Sequence, residues 1–221
     1  MSYACLILGE SGTGKTCSLR NVDPKNTLLI QPVRKPLPFR SLGWKEIKQK
    51  GDPGNVYVTA DPQKIIAAMK TSPFDVIIVD DWNYILTRKY MESPTGCNQF
   101  ELFKQIGQDG YNIIKAATEL ADNKRVYVLA HTQTDDMGHV QVRTLGKLLS
   151  EKICVEGLFT TVLRTKVVDG RYHFTTRNSG NDTVKSPIGM FDTAEIENDI
   201  ANIDRIVCDY YNITSNKESE E

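Results

Sequence analysis

The sequence predicts an α/β fold with a mostly parallel central sheet flanked by helices, then a C-terminal β-hairpin and a closing helix. Three observations carry this. Short apolar runs alternate with helical segments through residue 130, the order that builds an open parallel sheet. The first run passes directly into a glycine-rich turn, "GESGTGKT". Beyond about Leu158 the pattern changes to period-two alternation around Asp169-Gly170, a hairpin signal.

Residues 3–8 are almost wholly apolar and end at Gly9, as a strand buried on both faces should. A short helix is expected over residues 15–21, ended by Pro24, with a second strand over 27–30. "VYVT" at 56–59 is a third strand; Asp61 can cap the helix that follows, with Pro62 in its first position. "DVIIVDD" at 75–81 is the strongest strand signal. Residues 100–121 place Phe103, Ile106, Ile113, Ile114, Ala117 and Leu120 at mostly helical spacing, with Gly107 and Gly110 as weak points. "VYVLAHTQ" begins as a buried strand and ends in three hydrogen-bonding residues, His131, Thr132 and Gln133. From Thr193, Ile196, Ile200, Ile203 and Val207 recur as on a closing helix. These elements suit one domain over 1–214, with a charged, disordered tail over 215–221.

With 27 basic and 28 acidic residues and a net charge of −1, no global field draws the chain onto nucleic acid, so any such contact must be local or shared among subunits. Five cysteines without C-x-x-C spacing argue against a disulfide framework or a zinc site and fit a reducing cytoplasm. The opening residues form neither a signal peptide nor a membrane span, so a soluble, unexported protein with no membrane partner is expected.

Gly9, Glu10, Ser11, Gly12, Thr13, Gly14, Lys15 and Thr16 match G-x-x-x-x-G-K-[ST] at every fixed position, between a strand and a helix as the mechanism requires. In such a loop the backbone N–H groups curl round phosphates, the lysine reaches the β- and γ-phosphates, and the hydroxyl of Thr16 holds magnesium. ATP and Mg2+ are therefore the expected cofactors, with Cys17 closing the binding stretch. "VIIVDD" supplies the second part: Asp80 as the carboxylate partner of magnesium, and Asp81 either to orient or deprotonate a water or to cap the helix beginning at Trp82. In one large division of P-loop proteins a further strand lies between these two and points polar residues at the γ-phosphate. "VYVLAHTQ" has that character, with its histidine or glutamine, Gln133, as the group that would sense hydrolysis.

Taken with "RKPLPF", "VIIVDDWNYI", "AHTQ", "GKLLSEKICVEGLFTTVL" and "NSGNDTVKSPIGMF", the chain resembles phage-encoded P-loop ATP-binding proteins with a RecA-like core, of the AAA-domain type, related to single-strand annealing recombination factors. The resemblance implies a RecA-like ATPase, self-assembly into a ring or filament, single-stranded DNA as partner, and residence in a host cytoplasm. It also implies DNA-facing loops at 82–98, with Arg88 and Lys89, and at 134–143, with His139 and Arg143. Two features depart from it. The second strand ends in Gln31 where such ATPases carry a catalytic glutamate, leaving Asp81 or Glu101 as the base, and the 134–143 segment holds Asp135 and Asp136 but no aromatic or basic run.

Lys147, Lys152 and Arg164 are candidates to reach the γ-phosphate of a neighbouring subunit, as an arginine finger does. "VRKPLPFR" puts Arg34, Lys35 and Arg40 where they could contact phosphate, a neighbour or only solvent. Two other functions fit the same motifs: a small-molecule (nucleotide) kinase, and an ATP-dependent assembly or loading factor that does not hydrolyse ATP.

Overall fold

The computed structural model describes residues 1–49, 51–146 and 152–214. The tail over 215–221, and with it the expectation of disorder, lies outside the described residues, as does Lys147. The chain is α/β, with nine strands and four α-helices among the described residues. The strands are β1 (Tyr3–Gly9), β2 (Thr27–Gln31), β3 (Val56–Val58), β4 (Val76–Val79), β5 (Arg125–Thr134), β6 (Val140–Val142), β7 (Thr161–Val168), β8 (Arg171–Thr175) and β9 (Glu195–Glu197). The helices are α1 (Pro62–Thr71), α2 (Trp82–Met91), α3 (Gln99–Thr118) and α4 (Ile200–Tyr211).

The sheet order is β3-β2-β4-β5-β1-β7-β8-β9, with β6 paired to β5. From β3 to β7 every neighbour is parallel, and β8 and β9 complete the edge antiparallel. β5 therefore lies between the strand feeding the glycine-rich loop and the strand ending in Asp80, the order the polar-tipped strand led us to expect. Alternate residues of each central strand serve different faces. Leu6, Leu8, Ile77, Val79, Val126 and Val128 join a core closed by α1, α2 and α3. Cys5, Ile7, Ile78, Tyr127 and Leu129 face a second core closed by α4, Leu19 and Phe174. This two-sided burial is why the central strands read as continuous apolar runs.

Four local expectations are corrected. The helix over 15–21 is only a 3-10 turn, Thr16–Leu19, because the chain must turn through Asp23 and Pro24 to start β2 at Thr27. The polar end of "VYVLAHTQ" is not a free tip: Thr132 to Thr134 pair with β6, so residues 134–143 form a hairpin rather than an open loop. The closing helix begins at Ile200, where Asp199 caps it by accepting from the Ala201 amide. Residues 195–197, with Ile196, instead form edge strand β9. Finally, Gly107 and Gly110 do not interrupt α3, which runs unbroken over Gln99–Thr118. Both are buried, and Gly110 presents its carbonyl to the indole N–H of Trp82, 3.4 Å away, at the α2 contact.

The other expected signals appear as read. Asp61 accepts from the Gln63 and Lys64 amides at the start of α1. Asp169 and Gly170, both at positive φ (50° and 73°), turn β7 into β8.

Candidate functional site

All the groups that carry charge in the site arrive at the carboxyl ends of adjacent parallel strands, where open α/β sheets form their ligand crevices. Gly9 ends β1 and pairs in register with His131 on β5, while Asp80 and Asp81 follow β4, the next strand over. Ser11, Gly12, Gly14, Lys15, Thr16, Cys17, Lys35, Asp81, Tyr84 and His131 line one cavity of about 320 Å³.

The loop over 9–16 is built to keep its backbone bare. A β-carbon on Gly9 would lie 1.8 Å from the Thr165 hydroxyl, and Gly12 and Gly14 adopt φ of 80° and 94°. Thr165, on β7, sits 2.6 Å from the Thr13 hydroxyl and fastens the loop from its far side. Because a 3-10 turn of four residues follows, an anion in this loop would meet the loop's own amides and Lys15 rather than a long helix dipole. Lys15 is buried and donates to the Gly9 and Glu10 carbonyls at 2.8 and 2.9 Å, with His131 Nδ1 at 3.3 Å. Burial pulls its pKa below the usual lysine value, against the opposing fields of Asp81 and Asp80.

Asp80 is 1 % exposed and accepts from the Thr16 hydroxyl at 3.0 Å through Oδ1; its Oδ2 makes no hydrogen bond and has Lys35 Nζ at 3.6 Å. Burial raises its pKa despite Lys35. Asp81 occupies the N-cap position of α2 in a left-handed conformation (φ 78°, ψ 60°), but its side chain makes no capping hydrogen bond and is turned to the site instead. Its carboxylate faces His131 Nε2 at 2.9 Å and Lys35 Nζ at 3.2 Å. Burial alone would raise the Asp81 pKa, but His131 and Lys35 outweigh it and hold the group below the usual carboxylate range.

The arrangement fits a magnesium–triphosphate. A hydroxyl and an under-bonded buried carboxylate stand 3.0 Å apart beside a bare backbone cradle and a buried lysine, the sparse oxygen set from which magnesium keeps several waters. Among the described residues no cluster of three or more His, Cys, Asp or Glu offers a fuller metal cage.

Not every predicted residue comes here. Gln133 lies two positions beyond His131, opposite Gln141 of β6, and does not line the cavity, whereas His131 does. Glu101 sits exposed in the first turn of α3 beside Lys104 and does not reach the cavity either. Gln31 is buried near Asp80, its Nε2 without a partner. Of the DNA candidates, Arg88 pairs with Glu92 at 2.6 Å, Lys89 with Asp109, and His139 with Asp135 at 3.4 Å. Arg143 is exposed, and its backbone is tied to the site: its N–H donates to the His131 carbonyl at 2.8 Å and its own carbonyl accepts from Asn83. Lys152 is exposed, and Arg164 lies 3.9 Å from Asp182.

The sequence reading passed over Asn83 and Thr165. Asn83 Oδ1 accepts from the His131 amide at 2.6 Å, so this one side chain joins β5, α2 and the hairpin. Neither residue stands in a spaced motif, and only the fold brings them in.

A larger cavity of about 980 Å³ lies between residues 43–55 and α1, and it shares no lining residue with the site. No helix among the described residues is long and apolar enough to cross a membrane. No protein-family model matches the chain, and no curated protein matches it.

Proposed function

We propose that the protein is a RecA-like, magnesium-dependent ATPase that works as a homo-oligomer on single-stranded DNA, in recombination, annealing or replication. The observation that carries the ATPase reading is the convergence of Lys15, Thr16, Asp80, Asp81 and His131 at the ends of β1, β4 and β5. When bound, the magnesium nucleotide supplies an electrophilic phosphorus. The loop amides and Lys15 bind the phosphate chain, and Thr16 and Asp80 hold the metal. Asp81 Oδ2 orients the attacking water and takes its proton, and His131 Nε2, 2.9 Å from Oδ1, positions that carboxylate.

The DNA reading rests on the resemblance and on one physical link. His131 is joined through Asn83 to α2, which carries Arg88 and Lys89, and through its carbonyl to Arg143. A shift of His131 when the phosphate changes would move both segments. The deciding experiment is ATP hydrolysis with magnesium in the absence of DNA and with single-stranded or duplex DNA, at low and moderate salt. Stimulation by single strands that weakens as salt rises is the expected result. Phosphate transfer to a nucleoside monophosphate would instead mark a kinase.

The buried Gln31, an amide at the end of β2 where a base would stand, favours one alternative: an assembly or loading factor that binds ATP and does not turn it over. ATP binding without turnover, together with a change in oligomeric state, would establish that version.

A further inference from the structure

The segment leaving β2 carries a second lysine into the phosphate site. Its residues divide by direction: Arg34 pairs outward with Glu46, Leu37 and Phe39 pack against the second core, and Pro36 and Pro38 line the cavity. Lys35 points inward, with Nζ 3.2 Å from Asp81 Oδ2 and 3.6 Å from Asp80 Oδ2. The prolines restrict the backbone on which it stands, while its own side chain is 37 % exposed and free to swing on its four-carbon stem.

The ammonium thus stands against the two carboxylates that the proposed function gives to magnesium and to water. A lysine and a divalent cation cannot both sit on Asp80 without strong mutual repulsion, so metal entry must drive Lys35 off it. The other anion available within the same cavity is the phosphate chain on the loop over 9–16. From this we infer that Lys35 is a γ-phosphate ligand supplied in cis, which exchanges Asp80 and Asp81 for the terminal phosphate of a nucleoside triphosphate. The exchange frees Asp81 for water only when a third phosphate is present. With a diphosphate, Lys35 stays on Asp81. The lysine therefore makes the site distinguish triphosphate from diphosphate. The inference rests on the nucleotide-binding reading above.

Its test is calorimetric binding of ADP and of a non-hydrolysable ATP analogue, in excess magnesium, to the full chain and to Lys35→Gln and Lys35→Arg. A charge-assisted contact to phosphate predicts that Lys35→Gln loses about 10- to 100-fold in affinity for the triphosphate analogue. Affinity for ADP should stay within about twofold, and Lys35→Arg should keep most of the triphosphate preference. An unchanged triphosphate-to-diphosphate ratio in Lys35→Gln, or equal losses for both nucleotides, would overturn the role of Lys35 and leave the nucleotide site standing. Failure of the unaltered protein to bind either nucleotide would remove both.

Discussion

Charge is buried beside both ends of β5, and the two ends treat it differently. At the start, Arg125 is 3 % exposed, and its Nε and Nη2 reach Asp204 of α4 at 3.0 and 2.9 Å. Its Nη1 donates to the Asn123 carbonyl and the Tyr127 hydroxyl donates to Asp204 at 2.7 Å, so every charge has matched partners. Burial alone would lower the Arg125 pKa, and Asp204 more than reverses that. At the other end the balance is left incomplete. Lys15 and Asp80 are both shifted toward their neutral forms, chiefly by burial, and Asp80 Oδ2 and Gln31 Nε2 lack hydrogen bonds. Charge fully matched at burial locks α4 to the sheet, whereas charge held against its preference is ready for a ligand that would complete it.

The contrast is broken most severely at the matched end. Asp204→Ala leaves Arg125 buried without its partner and should cost about 3–5 kcal/mol, measured by urea denaturation. Nucleotide affinity of the folded fraction should not change. Replacing both charges, Arg125→Met with Asp204→Leu, should cost much less, because the penalty comes from the stranded charge and not from loss of the pair.

At the other end the expected ordering reverses. His131→Ala should lower turnover by about 100-fold while nucleotide affinity and thermal stability stay nearly unchanged, seen by steady-state kinetics beside calorimetry and melting curves.

Asp80→Asn sharpens the comparison in the opposite direction. Because the folded-state pKa of Asp80 is raised, its ionised form costs stability at neutral pH, and that cost is relieved as pH falls through the raised value toward the unfolded value of about 3.9. The neutral amide should therefore raise the melting temperature by about 3 °C at pH 7, with a smaller gain at acid pH, while magnesium-dependent binding is lost.

The smallest effect concerns thiols. Cys5, fully buried with its thiol pushed up to about 12 by burial, should resist alkylation in the folded protein. Cys17, which lines the cavity, should react more slowly once nucleotide is bound.

Much of this was legible in the chain because it rests on local patterns. The strands buried on both faces announce themselves by unbroken apolar runs, and the loop over 9–16 by glycines that only a bare backbone needs. Asp80 is readable from the end of its strand. What escaped depends on pairing across the fold. Whether His131 or Gln133 enters the site is decided by the register that puts His131 beside Gly9 and commits Gln133 to β6. Asn83 and Thr165 carry no spacing signal, since their partners lie 48 and 152 residues away. Strand β9 was hidden because the isoleucine of an edge strand and the isoleucines of the helix after it happen to continue one helical period.

The left-handed backbone of Asp81 bears on how this protein would fare under laboratory evolution. A side chain at φ 78° and ψ 60° is tolerated best as glycine or asparagine, so the aspartate is held there at some expense to the fold. A library screened for heat resistance would meet two opposed effects at Asp81→Gly: an eased backbone, and the loss of the contacts from His131 and Lys35 that hold the carboxylate ionised and stabilise the fold at neutral pH. Backbone and charge pull this single codon in opposite directions, and a programme to harden the protein must weigh both there.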